Sequence, residues 1–115
     1  MNEDNVILEK SMEFAVRIVN LRKYLIHEKR EHIMSEQLLK CGTSVGANAR
    51  EAKYGQSRND FISKMSIALK EAAETEYWLE LLYRTDYLVK EEYESIQKDC
   101  KEILKILIKI VKNSK

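Results

Sequence analysis

The chain has 115 residues, no proline and only three glycines, and 44% of its residues are hydrophobic. An all-β domain of this size needs many turns, which draw on proline and glycine, so the composition predicts a few long helices. With 20 basic and 19 acidic residues the net charge is +1, which argues against a disordered chain and against one that coats nucleic acid along its whole surface. We predict one domain, residues 1–115, with a core that needs no disulfide or metal.

Four amphipathic segments follow the 3.6-residue period of an α-helix, and none shows the alternation of a half-buried strand. They span residues of about 5–27, 31–54, 58–83 and 90–113. We therefore predict an all-α, antiparallel up-down-up-down four-helix bundle. In the first helix the predicted core positions are Ile7, Phe14, Ile18, Leu21 and Leu25, and Leu8, Met12, Ala15 and Val19 widen the core-facing stripe. In the third helix they are Phe61, Met65, Ala68, Leu69, Ala72, Leu79 and Leu82, and in the fourth Tyr93, Ile96, Cys100, Ile103, Leu107 and Ile110.

Small residues interrupt the apolar pattern in the middle of the second helix. Gly42 and Gly46 are four residues apart and Ala49 follows three residues later, which makes a narrow face. Glycine inside a helix costs about 1 kcal/mol relative to alanine, so we expect another helix backbone to approach this face closely. The alternative is that the glycines break the segment into two helices.

The connection between the second and third helices carries signals for both helix ends. We expect Gly55 to be the left-handed residue that ends the second helix. Ser57, with Asp60 three residues later, resembles the N-cap of the third helix and its carboxylate partner. The loop is therefore very short, and the two helices are predicted to form a tight antiparallel hairpin.

The fourth helix is apolar over a wide arc. Its apolar residues spread over roughly 200° of the helix, whereas a surface helix of a monomer usually exposes about half of its circumference to water. We predict that the excess apolar residues, Ile106 and Ile108, contact a second subunit. The alternative is a helix set deeply in a lone bundle.

Residues suited to catalysis are scarce. The two histidines, His27 and His32, lie in or beside the charged first connection and form no Glu-x-x-His pair. No phosphate-binding glycine loop, nucleophile elbow or HExxH helix is present. We therefore predict a protein that is not an enzyme and that has no cofactor and no metal site.

Cysteine usage and the N-terminal residues bear on the compartment. Cys41 and Cys100 are far apart in sequence and form no CxxC motif, so we expect buried, reduced thiols. Residues 1–4 (MNED) do not resemble a signal peptide, and no run approaches the roughly 18 apolar residues of a membrane span. These features predict a cytoplasmic protein without a membrane partner.

Polar residues on the second helix are candidates for an interhelical network. Ser44, Asn48 and Glu51 follow one another at steps of four and three residues, in line with Gln37, so they share one helix face. We predict that these side chains, with Glu76 of the third helix, form hydrogen bonds that fix the register of the helices. The alternative is a ligand site on the same face.

Basic residues form two groups that suit a partner surface. Five lysines of the fourth helix advance by three or four residues and form one stripe: Lys98, Lys101, Lys105, Lys109 and Lys112. From Lys98 onward, six lysines and two acids give a net charge of +4, so the preceding 97 residues carry −3. The second group, Arg50, Lys53, Tyr54 and Arg58, surrounds the turn between the second and third helices. Both groups suit nucleic-acid contact without sequence preference. The alternative is a solvated face, since lysine also favours the last turns of a helix.

The second and third helices resemble a bacterial protein family whose founding members are encoded in intervening sequences of 23S ribosomal RNA genes. The resemblance is carried by residues 37–40 (QLLK), 44–52 (SVGANAREA), 57 (S), 60–61 (DF), 67–72 (IALKEA) and 74–79 (ETEYWL). It implies a left-handed up-down four-helix bundle that assembles as a ring-like homopentamer. Related accessory proteins of diversity-generating retroelements have this fold and bind nucleic acid and a reverse transcriptase through basic surfaces, so the resemblance implies partners of those kinds.

Two functional hypotheses follow. In the first, a non-enzymatic homo-oligomer binds DNA or RNA, in particular structured RNA, through basic stripes that symmetry repeats. In the second, the chain is a protein-interaction scaffold without nucleic-acid affinity, which the near-neutral charge and the excess apolar surface favour. The hypotheses differ in whether basic or apolar side chains bind the partner.

Overall fold

A computed structural model describes residues 3–114 as four α-helices. These are α1 (Glu3–Lys29), α2 (Ile33–Lys53), α3 (Arg58–Arg84) and α4 (Lys90–Ser114). No strand occurs within that part of the chain, so the predicted all-α class is confirmed. The predicted helix bounds differ from the observed ones by two residues or fewer. The expected N-cap is also confirmed, because the Ser57 hydroxyl accepts a hydrogen bond from the Asp60 backbone N–H at 3.1 Å.

The helices form an antiparallel bundle. They are joined by connections of three to five residues, at 30–32, 54–57 and 85–89. A 27-residue helix such as α1 is about 40 Å long, so each helix must begin beside the end of the previous one. Both α1 and α3 pack against α2 and α4, which places the four helices at the corners of a square. The left-handed sense implied by the family resemblance stays a prediction.

Two of the three connections contain a left-handed residue, and neither residue is glycine. Arg30 follows α1 with φ 56°, and the next backbone N–H, of Glu31, reaches back to the Leu25 carbonyl oxygen at 2.9 Å. Asp86 follows α3 with φ 68°, and the Tyr87 N–H binds the Leu82 carbonyl oxygen at 2.9 Å. These hydrogen bonds satisfy carbonyl groups that the last helical turn leaves open.

The prediction that Gly55 is a left-handed residue is wrong, because no glycine has a positive φ. Gly55 is nevertheless tightly placed. A Cβ atom there would lie 3.2 Å from the Ala52 carbonyl oxygen and 3.2 Å from Cβ of Asp60. The residue therefore allows the end of α2 and the start of α3 to approach each other within a four-residue loop.

The start of α2 is capped by a residue outside the helix. The buried Glu31 carboxylate accepts hydrogen bonds from the backbone N–H groups of Ser35 at 2.8 Å and Met34 at 3.1 Å. The Ser35 hydroxyl donates to the Glu31 carbonyl oxygen at 2.8 Å. A carboxylate at a helix N-terminus accepts hydrogen bonds from the open N–H groups and interacts favourably with the helix dipole. Because Glu31 acts as this cap, α2 begins at Ile33 rather than at the predicted residue 31.

The core lies between the inward faces of the four helices. Most of the predicted core positions are buried, and Ile7, Ile18, Leu25, Leu79 and Leu107 are fully enclosed. Phe61, Leu69 and Tyr93 are only partly buried and pack against the edge of the core. The prediction that Met12 and Val19 face the core is wrong, because both side chains are exposed. Helix α2 continues through both of its internal glycines, so the alternative of two shorter helices is wrong. A Cβ atom at Gly42 would lie 2.8 Å from side-chain carbons of Ile18, and one at Gly46 would lie 3.2 Å from the Ser11 hydroxyl oxygen. Ala49, the third small residue, is also fully buried. Gly42 and Gly46 thus lie where the α2 backbone closely approaches α1.

Candidate nucleic-acid interface

The lysine stripe faces away from the bundle. Lys98, Lys101, Lys105, Lys109 and Lys112 are all exposed. The buried residues of α4, among them Ile96, Cys100 and Leu107, lie on the opposite side of the helix. At 1.5 Å per residue the stripe is about 21 Å long. It therefore offers a row of cations along one outer edge of the molecule.

The two acidic residues between these lysines form ion pairs with basic residues of α1. The Asp99 carboxylate accepts from the Arg17 guanidinium at 2.7 Å, and the Glu102 carboxylate accepts from the Lys10 ammonium at 3.3 Å. Arg17 also contacts the Glu92 carboxylate at 3.3 Å. These half-exposed ion pairs contribute little stability individually. Their effect here is to give Asp99 and Glu102 cation partners outside the stripe.

The second basic group surrounds the α2–α3 turn. Arg50, Lys53 and Arg58 are exposed, and the Tyr54 ring between them is 73% exposed. The Lys53 ammonium lies 5.6 Å from the centre of the Tyr54 ring. On the other side of the turn, the Arg58 guanidinium lies 4.9 Å from the centre of the Phe61 ring.

The structure brings the two basic groups to the same end of the bundle. In an antiparallel bundle, the C-terminus of α4 and the N-terminus of α3 meet at one end, and the Arg58 guanidinium donates to the Ser114 hydroxyl at 3.0 Å. Lys112, the last lysine of the stripe, is two residues before Ser114. The stripe therefore leads from the middle of α4 to the basic turn. Sequence reasoning treated the groups separately, because the two bonded residues are 56 positions apart in the chain.

The predicted interhelical network is not formed, because its members bond locally or at the surface. The Ser44 hydroxyl donates to the Lys40 carbonyl oxygen at 2.6 Å, and the Asn48 amide donates to the Ser44 carbonyl oxygen at 2.9 Å, both within α2. Glu51 is exposed and pairs with the Lys64 ammonium of α3 at 3.1 Å. Of these three contacts, only the Glu51–Lys64 ion pair links α2 to α3.

Glu76, a further member of that network, also bonds differently from the prediction. Gln37 is half-buried, and Glu76 contributes its backbone carbonyl oxygen rather than its carboxylate. The donor to that oxygen is the buried amide of Gln97, at 3.1 Å, which links α4 to α3. Gln97 was missed because the sequence alone does not show which flank of α4 lies against α3.

The two thiols are buried and free, as expected. Burial raises the pKa of Cys41 to about 11 and that of Cys100 to about 12. Because the thiolate is the nucleophile and metal ligand, both groups are held in their unreactive form. The described residues also contain no cluster of three or more His, Cys, Asp or Glu side chains that could hold a metal ion.

The structure places the two residues predicted to contact a second subunit, Ile106 and Ile108, in different surroundings. Ile106 is half-buried and packs against the core, whereas Ile108 is 51% exposed. Two residues span about 200° of a helix, so these side chains lie on different flanks of α4 and do not form one patch. The apolar arc is therefore partly covered within the bundle itself.

An exposed apolar surface lies on α1, although Met12 and Val19 were predicted to widen the core-facing stripe of this helix. Met12, Val16 and Val19 are 47%, 54% and 36% exposed. Beside them, a shallow surface depression of about 450 Å³ lies along the boundary of α1 and α2, with Ala15 and Gly46 among its lining residues. The signal was present in the sequence, because the apolar residues of the first helix also extend beyond one narrow stripe.

The fold and these surfaces define an antiparallel helical bundle with a basic edge and an apolar face. The basic edge consists of the lysine stripe and the basic turn, and the apolar face consists of Met12, Val16 and Val19 on α1. Residues 3–109 match the 23S rRNA-intervening sequence protein family, and the chain belongs to this family. The family resemblance read from the second and third helices is thereby confirmed.

A solved relative has the same fold. It is a protein of unknown function from the S23 ribosomal protein family of Bacteroides thetaiotaomicron, with a crystal structure at 1.70 Å resolution. The two chains are 62% identical, the match covers 96% of this chain and 99% of that chain, and the TM-score is 0.95. No curated protein matches the chain. Within residues 3–114, no helix is both long enough and apolar enough to cross a membrane.

Proposed function

We propose that this chain is a non-enzymatic, homo-oligomeric protein of the cytoplasm that binds nucleic acid, in particular structured RNA, through its basic edge. The observation that carries the proposal is the junction of the lysine stripe with the basic turn, made by the Arg58–Ser114 hydrogen bond at 3.0 Å. Together the two groups supply eight cations, Lys98, Lys101, Lys105, Lys109 and Lys112 on α4 and Arg50, Lys53 and Arg58 at the turn.

Phosphate contacts explain how such a surface binds. Each contact releases counterions from the nucleic acid, so affinity falls with salt by a log–log slope of about 0.7 per contact for a single strand. A protomer that engages four or five phosphates then shows a slope of about −2.8 to −3.5. Oligomerisation multiplies this effect, because symmetry places a copy of the edge on every subunit.

Self-association is supported by apolar surface rather than by charge. The exposed side chains of Met12, Val16 and Val19 form a contiguous face on α1, and Ile108 adds a separate apolar site on α4. Two different apolar surfaces suit a head-to-tail contact, which closes into a ring when the rotation allows it. This agrees with the homopentamer that the family resemblance implies.

A salt titration of the parent protein is the direct test. Fluorescence anisotropy with a labelled structured RNA should show binding at low salt and a steep loss as salt increases. Reversing two charges of the stripe, in Lys101→Glu with Lys105→Glu, should weaken binding at least about tenfold, whereas Lys23→Glu on α1 with Lys40→Glu on α2 should have a smaller effect. No binding of RNA or DNA at low salt would reject the proposal, and so would equal losses in the two double variants.

The second candidate function is a protein-interaction scaffold, which the apolar face on α1 favours. A reverse transcriptase is one kind of partner that the family resemblance implies. If the purified protein carries no nucleic acid, binds none at low salt and retains one protein partner through purification, this alternative replaces the first. Val16→Glu should then release the partner, while reversal of the lysine stripe should not.

A further inference from the structure

A shallow, open depression of about 600 Å³ lies at the α2–α3 turn beside the exposed Tyr54 ring. Its lining residues include Arg50, Glu51, Tyr54, Gln56, Asp60 and Lys64. Tyr54 is the C-cap residue of α2, and its backbone N–H binds the Glu51 carbonyl oxygen at 3.1 Å. The backbone of Tyr54 is thus anchored while its ring, 73% exposed, remains outside the core.

The charged side chains that line this depression are partly paired. Glu51 is paired with Lys64 at 3.1 Å, and the Asp60 carboxylate accepts from the Gln56 backbone N–H at 3.3 Å. The exposed Arg50 guanidinium, which also lines the depression, has no ion-pair partner among the described side chains. Lys53 is adjacent in sequence to Tyr54 and lies over its ring.

These groups favour different parts of a nucleotide. The carboxylates repel a phosphate group but accept hydrogen bonds from the N–H groups of a base. The exposed cations Arg50 and Lys53 attract phosphates, and an exposed aromatic ring stacks on any base because every base has a π-face. The Tyr54 ring and the carboxylates therefore suit a base, and the two cations suit the backbone on either side of that base.

We infer that the Tyr54 depression binds one unpaired nucleobase, with the neighbouring phosphates held by Arg50 and Lys53. This inference rests on the proposed nucleic-acid function and adds a preference to it. A base within a continuous duplex is covered on both faces by its neighbours, so only a single strand, a loop or a strand end can supply the base. The lysine stripe contacts backbone of either kind, whereas the turn selects unpaired segments.

Anisotropy measurements with two probes separate this selection from general charge attraction. The probes are a labelled ten-nucleotide oligouridine and a blunt RNA duplex with a similar number of phosphates. Tyr54→Ala should weaken oligouridine binding at least about fivefold, which corresponds to the lower limit of stacking on one base. Tyr54→Phe retains the ring and should remain within about twofold of the parent. Duplex binding should change less than about twofold in both variants.

Tyr24→Ala is the matched control, because Tyr24 is 40% exposed on α1 and lies in a different depression beside Leu88. It should leave both affinities unchanged. If Tyr54→Ala binds oligouridine as the parent does, or loses both probes equally, this inference is overturned and the proposed function survives. A parent that binds neither probe at low salt rejects the proposed function and this inference together.

Discussion

The Gly42→Ala variant measures how closely α1 and α2 pack. A Cβ atom at Gly42 would lie 2.8 Å from both Cγ1 and Cγ2 of Ile18 and 3.2 Å from its Cδ1. Ordinary carbon–carbon contacts are about 3.5–4.0 Å. The new methyl group and the Ile18 side chain must therefore separate by about 0.7 Å or more.

Ile18 has little freedom to provide that space. It is fully buried, and a β-branched side chain in a helix strongly prefers one χ1 rotamer. Overpacking of a core costs about 1–3 kcal/mol, and two contacts at 2.8 Å place Gly42→Ala in the upper part of that range. The higher helix propensity of alanine offsets about 1 kcal/mol. We expect the free energy of unfolding to fall by about 1–2 kcal/mol.

Urea denaturation followed by far-UV circular dichroism measures this change, and Gly46→Ala is the matched control. A Cβ atom at Gly46 would lie 3.2 Å from the Ser11 hydroxyl oxygen and 3.4 Å from its carbonyl oxygen, which are milder contacts. Because the same propensity gain applies, we expect Gly46→Ala to remain within about 0.5 kcal/mol of the parent or to exceed its stability.

A double-mutant cycle with Ile18→Ala tests the mechanism. Ile18→Ala removes all three carbons that the new methyl group would meet, and it costs about 2–5 kcal/mol because it leaves a cavity. In that background Gly42→Ala should be neutral or stabilising, since its methyl group enters the cavity. Parent-like stability of the single variant, or the same loss in both backgrounds, would refute the close packing of α1 and α2.

Three further predictions concern a helix end, self-association and the thiols. Arg30→Gly removes the strain of a side chain at φ 56° and should raise the unfolding free energy by about 0.5–1 kcal/mol; an unchanged denaturation midpoint would contradict this. Val16→Glu and Ile108→Glu should each yield smaller species by light scattering, whereas a monomeric parent would exclude subunit contacts at both positions. Burial raises the pKa of Cys41 to about 11 and of Cys100 to about 12, so a thiol reagent at about pH 8 should label only unfolded protein. Because the protonated thiols are favoured in the folded state, this contribution to stability is present below about pH 8.5 and is lost as the pH rises toward 11 and 12. Rapid labelling under native conditions would show that the thiols are accessible.

Local signals in the sequence predicted the helices well but the helix ends less well. The periodicity of the third segment and the Ser57 cap placed the start of α3 at the correct residue, because both signals act within one helical turn. Gly55 was assigned the left-handed conformation that Arg30 and Asp86 adopt instead. Glycine is the cheapest residue at such a position but is not required there. The actual requirement at Gly55 is the close approach of Asp60, which a sequence pattern does not show.

The candidate site depended more on the tertiary structure. The lysines of the stripe were recognised from their spacing, since residues three or four apart share a helix face. That the stripe meets the basic turn is evident only from the contact between Arg58 and Ser114. Similarly, the wide apolar arc of α4 was visible in the sequence, but which of its residues are covered depends on the helices beside it.

The sequence by itself therefore determined the four helices, their inward faces and the segregation of basic charge, because each follows from the order of residues along one helix. Only the tertiary structure decided which surfaces remain open. It partly buried Ile106 and left Val16 exposed. It also gave the members of the predicted polar network other partners, such as the Lys40 carbonyl oxygen for Ser44. Finally, it brought two basic groups that are distant in sequence to one end of the bundle. These outcomes depend on which helix lies opposite each face, and that is fixed by how the four helices pack together.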